Sequence, residues 1–267
     1  MQDLKDTIFK NLNGKAAEAV IITESNGIIA GTDRANQVAD QMRLTVTRIV
    51  KEGSCVNKGD IIAAVQGDVK QVITGEERLM GCISKPSGVA TSAHQFIRAA
   101  AGKSRIVSGA WKKMPMELKE MIRAAVLTGG AHIRICDEPF IYLDKNYISV
   151  FGGIPETLEG VSHLRGYLKV IQLKGKYKDI GSEAEEAARL GADILFVDTG
   201  NVADIHSVVE RLNEAGKRER VQIAFGGGVQ IEDMDEIKGL DVDILDIGQA
   251  IIDAPLLDLK YEVKTIG

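Results

Sequence analysis

The sequence predicts an α/β protein: a first part of mixed strands and helices, then a closed or nearly closed parallel barrel. Three observations predict it. From about residue 104, short apolar runs alternate with segments of helical spacing, the rhythm of a parallel sheet with crossover helices. Two of the last runs end in glycine: Ile223-Ala224-Phe225-Gly226-Gly227-Gly228-Val229, and Asp243-Ile244-Leu245-Asp246-Ile247-Gly248-Gln249-Ala250, with an acidic helix-like segment, Ile231 to Leu240, between them. The chain closes on Leu256 to Val263, an alternating stretch that reads as one more strand returning to the first part. Glycines at the C-terminal ends of barrel strands leave backbone N–H groups free to cradle a phosphate. The plainer alternative is that they only make tight strand-to-helix turns.

Within the first part, Ala19 to Thr23 and Ile28 to Gly31 read as a hairpin about Ser25-Asn26-Gly27, because Asn-Gly favours a type I′ turn. Arg34 to Leu44 has helical spacing. Thr45 to Val50, Ile61 to Val65 and Val69 to Val72 read as short strands. Thr74 to Ala100 reads as a helix, a break at Lys85-Pro86-Ser87-Gly88, and a second helix. The glycine rhythm from Glu52 to Gly67 is like that of biotinyl-lipoyl carriers, but no exposed lysine hairpin accompanies it.

The second part offers strands at Arg105 to Val107, Ala131 to Ile135, Tyr147 to Phe151, Tyr167 to Leu173, Ile194 to Val197, Val221 to Phe225 and Ile244 to Ile247. Helices are expected at Met116 to Val126, Pro155 to Leu164, Ser182 to Leu190, Val202 to Asn213 and Ile231 to Ile237. The domain boundaries implied are 1–98, joined by the returning strand 256–267, and 99–255.

A length of 267 residues with 45% hydrophobic and 27% charged content suits a soluble chain with a real core. The net charge of −5 argues against a nucleic-acid-binding or anionic-membrane surface. No apolar run approaches the roughly 20 residues of a membrane helix. Cys55, Cys82 and Cys136 are scattered, read as small apolar filler, and form no zinc pattern with the histidines. An odd cysteine count without a signal peptide favours the cytoplasm. Met1 to Lys15 reads as a polar amphipathic segment.

Strand ends are where barrel chemistry sits. They offer Trp111, Lys112 and Lys113; His132 and Arg134; Asp144 and Lys145; Gln172, Lys174 and Lys176; then Asp198, Thr199 and Asn201. A carboxylate, several cations and two glycine loops suit phosphoryl or phosphoribosyl chemistry with Mg²⁺. Asp198 is either a ligand or the N-cap of the next helix. Lys112-Lys113 is either functional or a solvated turn, Trp111 either stacks or packs, and His132 reads as a core histidine.

In these features the chain resembles quinolinate phosphoribosyltransferase, the decarboxylating nicotinate-nucleotide pyrophosphorylase. The resemblance spans Ile28 to the final strand. Its strongest segments are Thr74-Gly75-Glu76 with Ser87-Gly88-Val89-Ala90-Thr91, Gly191-Ala192-Asp193-Ile194, Val197-Asp198, Gly227-Gly228-Val229, and Ile247-Gly248 with Ala254-Pro255. It implies an N-terminal α/β sandwich, an incomplete or distorted TIM-like α/β barrel, and a homodimer whose active sites are completed by the partner. It also implies Mg²⁺, no organic cofactor, and phosphoribosyl pyrophosphate with a small heterocyclic base as ligands. Lys112 falls at the lysine of the family's T-R-K-T-T-P segment, Arg134 at the arginine of H-N-H-R, and Asp198 at the aspartate of L-D-N, which carries a metal-linked role. Gly226, Gly227, Gly228, Gly248 and Gln249 fall in the phosphate loops.

Five departures accompany these matches. The family's arginine given across the dimer falls at Glu77, and the arginine of T-R-K-T at Trp111. The last histidine of H-N-H-R falls at Ile133, and the lysine and histidine of K-D-N-H at Asp144 and Tyr147. Arg78 and Lys145 each lie one residue from a lost cation. Quinolinate carries two carboxylates, and an acid beside them is costly in a dry pocket. The expectation is therefore a phosphoribosyltransferase for a less anionic base, stacked on Trp111 with Glu77 or Asp144 as polar partners. The alternatives are quinolinate itself in a rearranged pocket, or a non-catalytic relative that binds a phosphate ligand or a protein.

Overall fold

The computed structural model describes residues 4–12 and 14–266. Residues 1–3 and 13 of the polar N-terminal segment lie outside the described residues. The chain runs α1 (Leu4–Ile8), β1 (Ala16–Thr23), β2 (Gly27–Ile28), α2 (Thr32–Gln41), β3 (Thr45–Ile49), β4 (Cys55–Val56), β5 (Ile61–Asp68) and α3 (Val69–Ala100). Next come β6 (Arg105–Val107), α4 (Met116–Thr128), β7 (Phe140–Leu143), α5 (Lys145–Phe151), α6 (Ile154–Gly160), β8 (Leu168–Leu173), α7 (Ile180–Arg189) and β9 (Ile194–Asp198). It ends with α8 (Val202–Glu214), β10 (Gln222–Gly226), α9 (Met234–Ile237), β11 (Ile244–Asp246), α10 (Gln249–Ile252) and β12 (Leu259–Ile266). Two compact units result. One takes the chain up to His94, Pro115–Gly130 and the chain from Asp253; the other takes Gln95–Met114 and Ala131–Ile252. No described helix is long and apolar enough to cross a membrane.

The first unit is built on an antiparallel sheet in the order β12-β1-β5-β3. Ile21 and Ile62 of the sheet pack with Val38 of α2 and with Val72, Leu79 and Ile83 of α3. The returning C-terminal strand is thus present, paired along β1. The expected hairpin is not: both edges of β1 are occupied by β5 and β12, so β2 pairs with β4 instead. Val69 to Val72 opens α3 rather than forming a strand, because the Asp68 carboxylate accepts the Lys70 N–H (2.9 Å) and starts the helix.

The break expected at Pro86 is absent, and α3 runs through it. Proline removes one helical N–H and displaces the carbonyl four residues back. Here that carbonyl, of Cys82, is covered by Gly31, where an added Cβ would lie 2.0 Å from the oxygen. The adjoining turn is tied by Ser87 Oγ accepting from Ala30 N (2.9 Å) and Thr91 Oγ1 accepting from Ile28 N (2.9 Å). Glu52 caps α2 from a distance, accepting from Gly31 N, Thr32 N, Thr32 Oγ1 and Thr128 Oγ1. Burial opposes its charge, yet these hydrogen bonds hold its carboxyl below the usual range.

The second unit is a six-stranded parallel sheet in the order β6-β11-β10-β9-β8-β7. His132 adds one parallel bridge to Val107 of β6. The barrel therefore stays open between that segment and β7. The expected strand Ala131 to Ile135 is reduced to this contact; beyond it the chain turns through Asp137-Glu138-Pro139, and Pro139 has no N–H for a ladder. Tyr147 to Phe151 is helix, not strand. Asp144 caps it by accepting from Asn146 N and Tyr147 N, and Gly152 ends it at φ 97°. The strand of this repeat is β7, a run of four apolar residues of which only Leu143 is fully buried, too short to read as a strand. Val107, Val170, Ile194, Phe196, Ala224 and Ile244 form the barrel interior together with Cys136, a buried thiol; Cys55, in contrast, is exposed.

Candidate functional site at the mouth of the open barrel

Side chains two apart on a strand share a face. Ile194 and Phe196 of β9, Ala224 of β10 and Ile244 of β11 face the interior. The same faces continue to Asp198, Gly226 and Asp246 at the C-terminal strand ends. The register sets these three level, Gly226 pairing with Asp198 on one side and Asp246 on the other. Gly226 has to be small, since a Cβ there would meet the Phe196 ring and Asp246 O at 3.0 Å.

On the β8 side, Asp198 is half-buried and pairs with Lys174 Nζ at 3.0 Å. Gln172 Nε2 donates to the same carboxylate, while Gln172 Oε1 accepts from Lys145 N at 2.7 Å. Asp198 is not the helix cap: Asn201 fills that role, accepting from Ala203 N. On the β6 side, Asp246 accepts from Gly109 N at 3.2 Å. Burial pushes its carboxyl up, the nearby Asp198 charge adds to this, and the Gly109 N–H, Lys112 and Lys113 pull the other way. Tyr142 of β7 lies among these groups. Burial, then the charges of Asp198, Asp246 and Asp144, hold its phenol far above the ordinary range. Lys112 Nζ sits 5.5 Å from the centre of the Tyr142 ring.

The glycine loops do two jobs. Gly200 and Gly227 bring two loops together backbone to backbone: a Cβ on Gly227 would lie 2.5 Å from Gly200 N, and one on Gly200 would lie 2.2 Å from Gly227 O. Gly228, at φ 103°, faces open space. Gly248 precedes α10, where a Cβ would make only ordinary contact with Ala110, and Gln249 is exposed.

Lys112 is exposed on the 3₁₀ turn Ala110–Lys113. Trp111 is half-buried there and its indole donates to Ile133 O (3.2 Å). Arg134 is exposed, over the Phe140 ring at 5.2 Å. His132 is half-exposed rather than a core residue, and burial is the main cause that lowers its pKa. Lys145 is exposed at the start of α5. Two expected polar partners of a base are engaged elsewhere. Asp144 spends its carboxylate on the α5 cap, and Glu77, on α3 of the other unit, pairs with Lys5 at 3.3 Å. Arg78 lies beside Glu77 on α3 and is exposed.

Sequence reasoning placed Gln172 and Lys174 at a strand end without pairing them with Asp198, and gave no role to Asp246, Tyr142 or Glu183. The two-residue spacing of Asp246 from Ile244 was the signal for Asp246. The fold and this mouth define a protein of the open α/β-barrel class with an antiparallel N-terminal domain. The family comparison is specific: quinolinate phosphoribosyl transferase domains match residues 6–87 (N-terminal domain) and 89–262 (C-terminal domain). The chain belongs to the quinolinate phosphoribosyltransferase family.

Among its relatives, a probable nicotinate-nucleotide pyrophosphorylase (carboxylating) of Archaeoglobus fulgidus is 28% identical, over 93% of this chain and 95% of that protein. The corresponding rat enzyme is 25% identical, over 94% and 83%. The solved nicotinate-nucleotide pyrophosphorylase of Pyrococcus furiosus superposes with a TM-score of 0.86 at 21% identity, over 98% of this chain and 73% of that one.

Proposed function

We propose that the protein transfers phosphoribose from phosphoribosyl pyrophosphate to quinolinate, a step of NAD biosynthesis. The observation that carries this is the family match along nearly the whole chain, with Lys112, Asp198 and the glycine loops on one barrel unit. The family's description favours quinolinate over the different base that the lost cations suggested, and the relatives' names, nicotinate-nucleotide pyrophosphorylase, agree with it. The physical objection also weakens. The acids at Asp144 and Glu77 are already engaged by a helix cap and a lysine, and Lys145 and Lys174 stand near the mouth.

In this reading, the open space at Gly228 receives the 5′-phosphate and Lys112 meets the pyrophosphate. As pyrophosphate leaves, the ring nitrogen bonds to the anomeric carbon; the carboxylate beside that nitrogen then departs as carbon dioxide, and the electron pair it leaves on the ring carbon takes up a proton from solvent. No group of three His, Cys, Asp or Glu side chains suited to a metal occurs among the described residues. A magnesium ion carried in by the donor needs only one or two protein carboxylates, so Asp198 fits it. When bound, it would neutralise the pyrophosphate charge. A homodimer is part of the same reading, tested by sedimentation.

The deciding experiment supplies phosphoribosyl pyrophosphate, Mg²⁺ and quinolinate and follows nicotinate mononucleotide and carbon dioxide. Formation of both is expected. If the donor raises the melting temperature but quinolinate gives no product, the acceptor assignment fails. If the donor causes no shift at a concentration about 100 times a typical Kd, where about 2.7 kcal/mol is expected, the transferase reading fails as a whole.

A further inference from the structure

Lys174 directly follows β8, and the strand register decides what it meets. Gln172 pairs with Phe196 and Leu173 with Val197, which brings position 174 level with Asp198. Side chains two apart on a strand share a face. Gln172 and Lys174 accordingly reach the same oxygen, Asp198 Oδ2, the ammonium at 3.0 Å. The Lys174 ammonium also donates to the main-chain carbonyl of Asp198. One lysine thus grips both the side chain and the main chain of the residue expected to meet the donor's cation.

The backbone beneath this lysine is fixed. Glu183 of α7 is 2% exposed. Its carboxylate accepts from Gly175 N at 2.9 Å and Tyr177 N at 2.8 Å, and from Lys174 N and Lys178 N at 3.4 Å. The Lys174 side chain is 39% exposed, so its stem is the part able to move. Lys145, Lys174 and Lys176 line a cleft of about 210 Å³, which gives a released ammonium room. Two like charges border that space and favour Lys174 staying on Asp198 until a stronger cation takes the carboxylate. We propose that Lys174 is a resident counterion of Asp198 that a divalent cation has to displace, so that this lysine sets how tightly the mouth takes up metal. A carboxylate neutralised by an ammonium attracts a second cation weakly, and a divalent ion beside that ammonium is repelled. This competition belongs to Asp198 and Lys174 alone and holds whichever acceptor the protein uses. Only the arrival of the metal with the donor rests on the phosphoribosyl-transfer reading.

Mn²⁺ standing in for Mg²⁺, followed by the electron paramagnetic resonance of the unbound ion, tests this on the intact protein without donor or turnover. Lys174→Met keeps the stem and drops the charge. It should bind Mn²⁺ about fivefold more tightly than wild type, the equilibrium equivalent of releasing a partly exposed ion pair. Lys174→Arg should stay near wild type, and adding Asp198→Asn to Lys174→Met should remove the gain. Equal affinity in wild type and Lys174→Met overturns the proposal, as does a gain that survives Asp198→Asn. Calorimetry with phosphoribosyl pyrophosphate at saturating Mn²⁺ separates this from the functional reading. Donor affinity there should be the same in wild type and Lys174→Met; a loss in the variant would make Lys174 a donor ligand and overturn the counterion role. If neither form binds the donor while the Mn²⁺ gain stands, the counterion role is upheld and the transferase reading fails.

Discussion

On one side of Gly226, Asp198 ends β9 with Lys174 at 3.0 Å and the Gln172 amide on its carboxylate. On the other, Asp246 ends β11 at the same level, held by one backbone N–H from Gly109 and pushed toward its protonated form by burial. The residue type, the strand position and the distance from the barrel interior are shared. Only the neighbours differ. The β8 side delivers one cation, Lys174, to its aspartate from a loop braced by Glu183, whereas the β6 side delivers a backbone donor and more distant lysines. The mouth is therefore polarised, with one aspartate held in an ion pair and the other resisting ionisation.

Replacing Asp198 should break the comparison most severely. Asp198→Asn is expected to lower kcat/KM about 100- to 1000-fold, the range for losing one electrostatic contact at a reacting centre, measured by nicotinate mononucleotide formation. The matching Asp246→Asn should lose far less. Equal losses would mean that the two sides act alike.

Glu183→Ala removes the brace and leaves several loop N–H groups without an acceptor. A stability loss of about 3 kcal/mol in urea melts is expected. Glu183→Gln should recover part of the stability.

The glycines give the next contrast. Gly227→Ala should cost about 2–3 kcal/mol, because φ is 109° and its Cβ would lie 2.5 Å from Gly200 N. Gly228→Ala should cost only about 1 kcal/mol in stability, yet weaken donor binding about tenfold, since its Cβ enters the open space meant for phosphate. If Gly228→Ala binds the donor normally, that glycine serves the turn alone.

The smallest effect concerns pH. Because the Asp246 carboxyl is raised in the folded state, its contribution to stability is full below about pH 4, the ordinary aspartate range, and falls as pH rises through the raised value. Asp246→Asn lacks that decline. Its melting temperature relative to wild type should climb by a few degrees between pH 4 and neutrality.

Much of the barrel was legible because its strands are continuous apolar runs ending at polar or glycine residues, as buried parallel strands must be. β6, β8, β9, β10 and β11 read directly. β7 did not, since four apolar residues after Pro139 give no period, and the following Tyr147 to Phe151 carries enough β-branched and aromatic residues to pass for a strand until Asp144 is seen capping it. In the first unit, Asn26-Gly27 signalled a hairpin by local chemistry, but β1 already had two partners. Pro86 signalled a break, yet Gly31 packs over the displaced carbonyl and the helix continues.

By itself, the sequence determined the fold class, the returning strand, and the placement of Asp198 and Gly226 at strand ends with Lys112 in the turn after β6. These follow from periodicity and from motifs that act within a few residues. Only the tertiary structure decided which side chains share an environment. It set Asp246 level with Asp198, committed Asp144 and Glu77 to structural partners, turned Glu183 into the brace of a lysine loop, and gathered Lys145, Lys174 and Lys176 around one cleft. Those outcomes depend on strand register and on loops converging from separated segments, distances that no local pattern encodes.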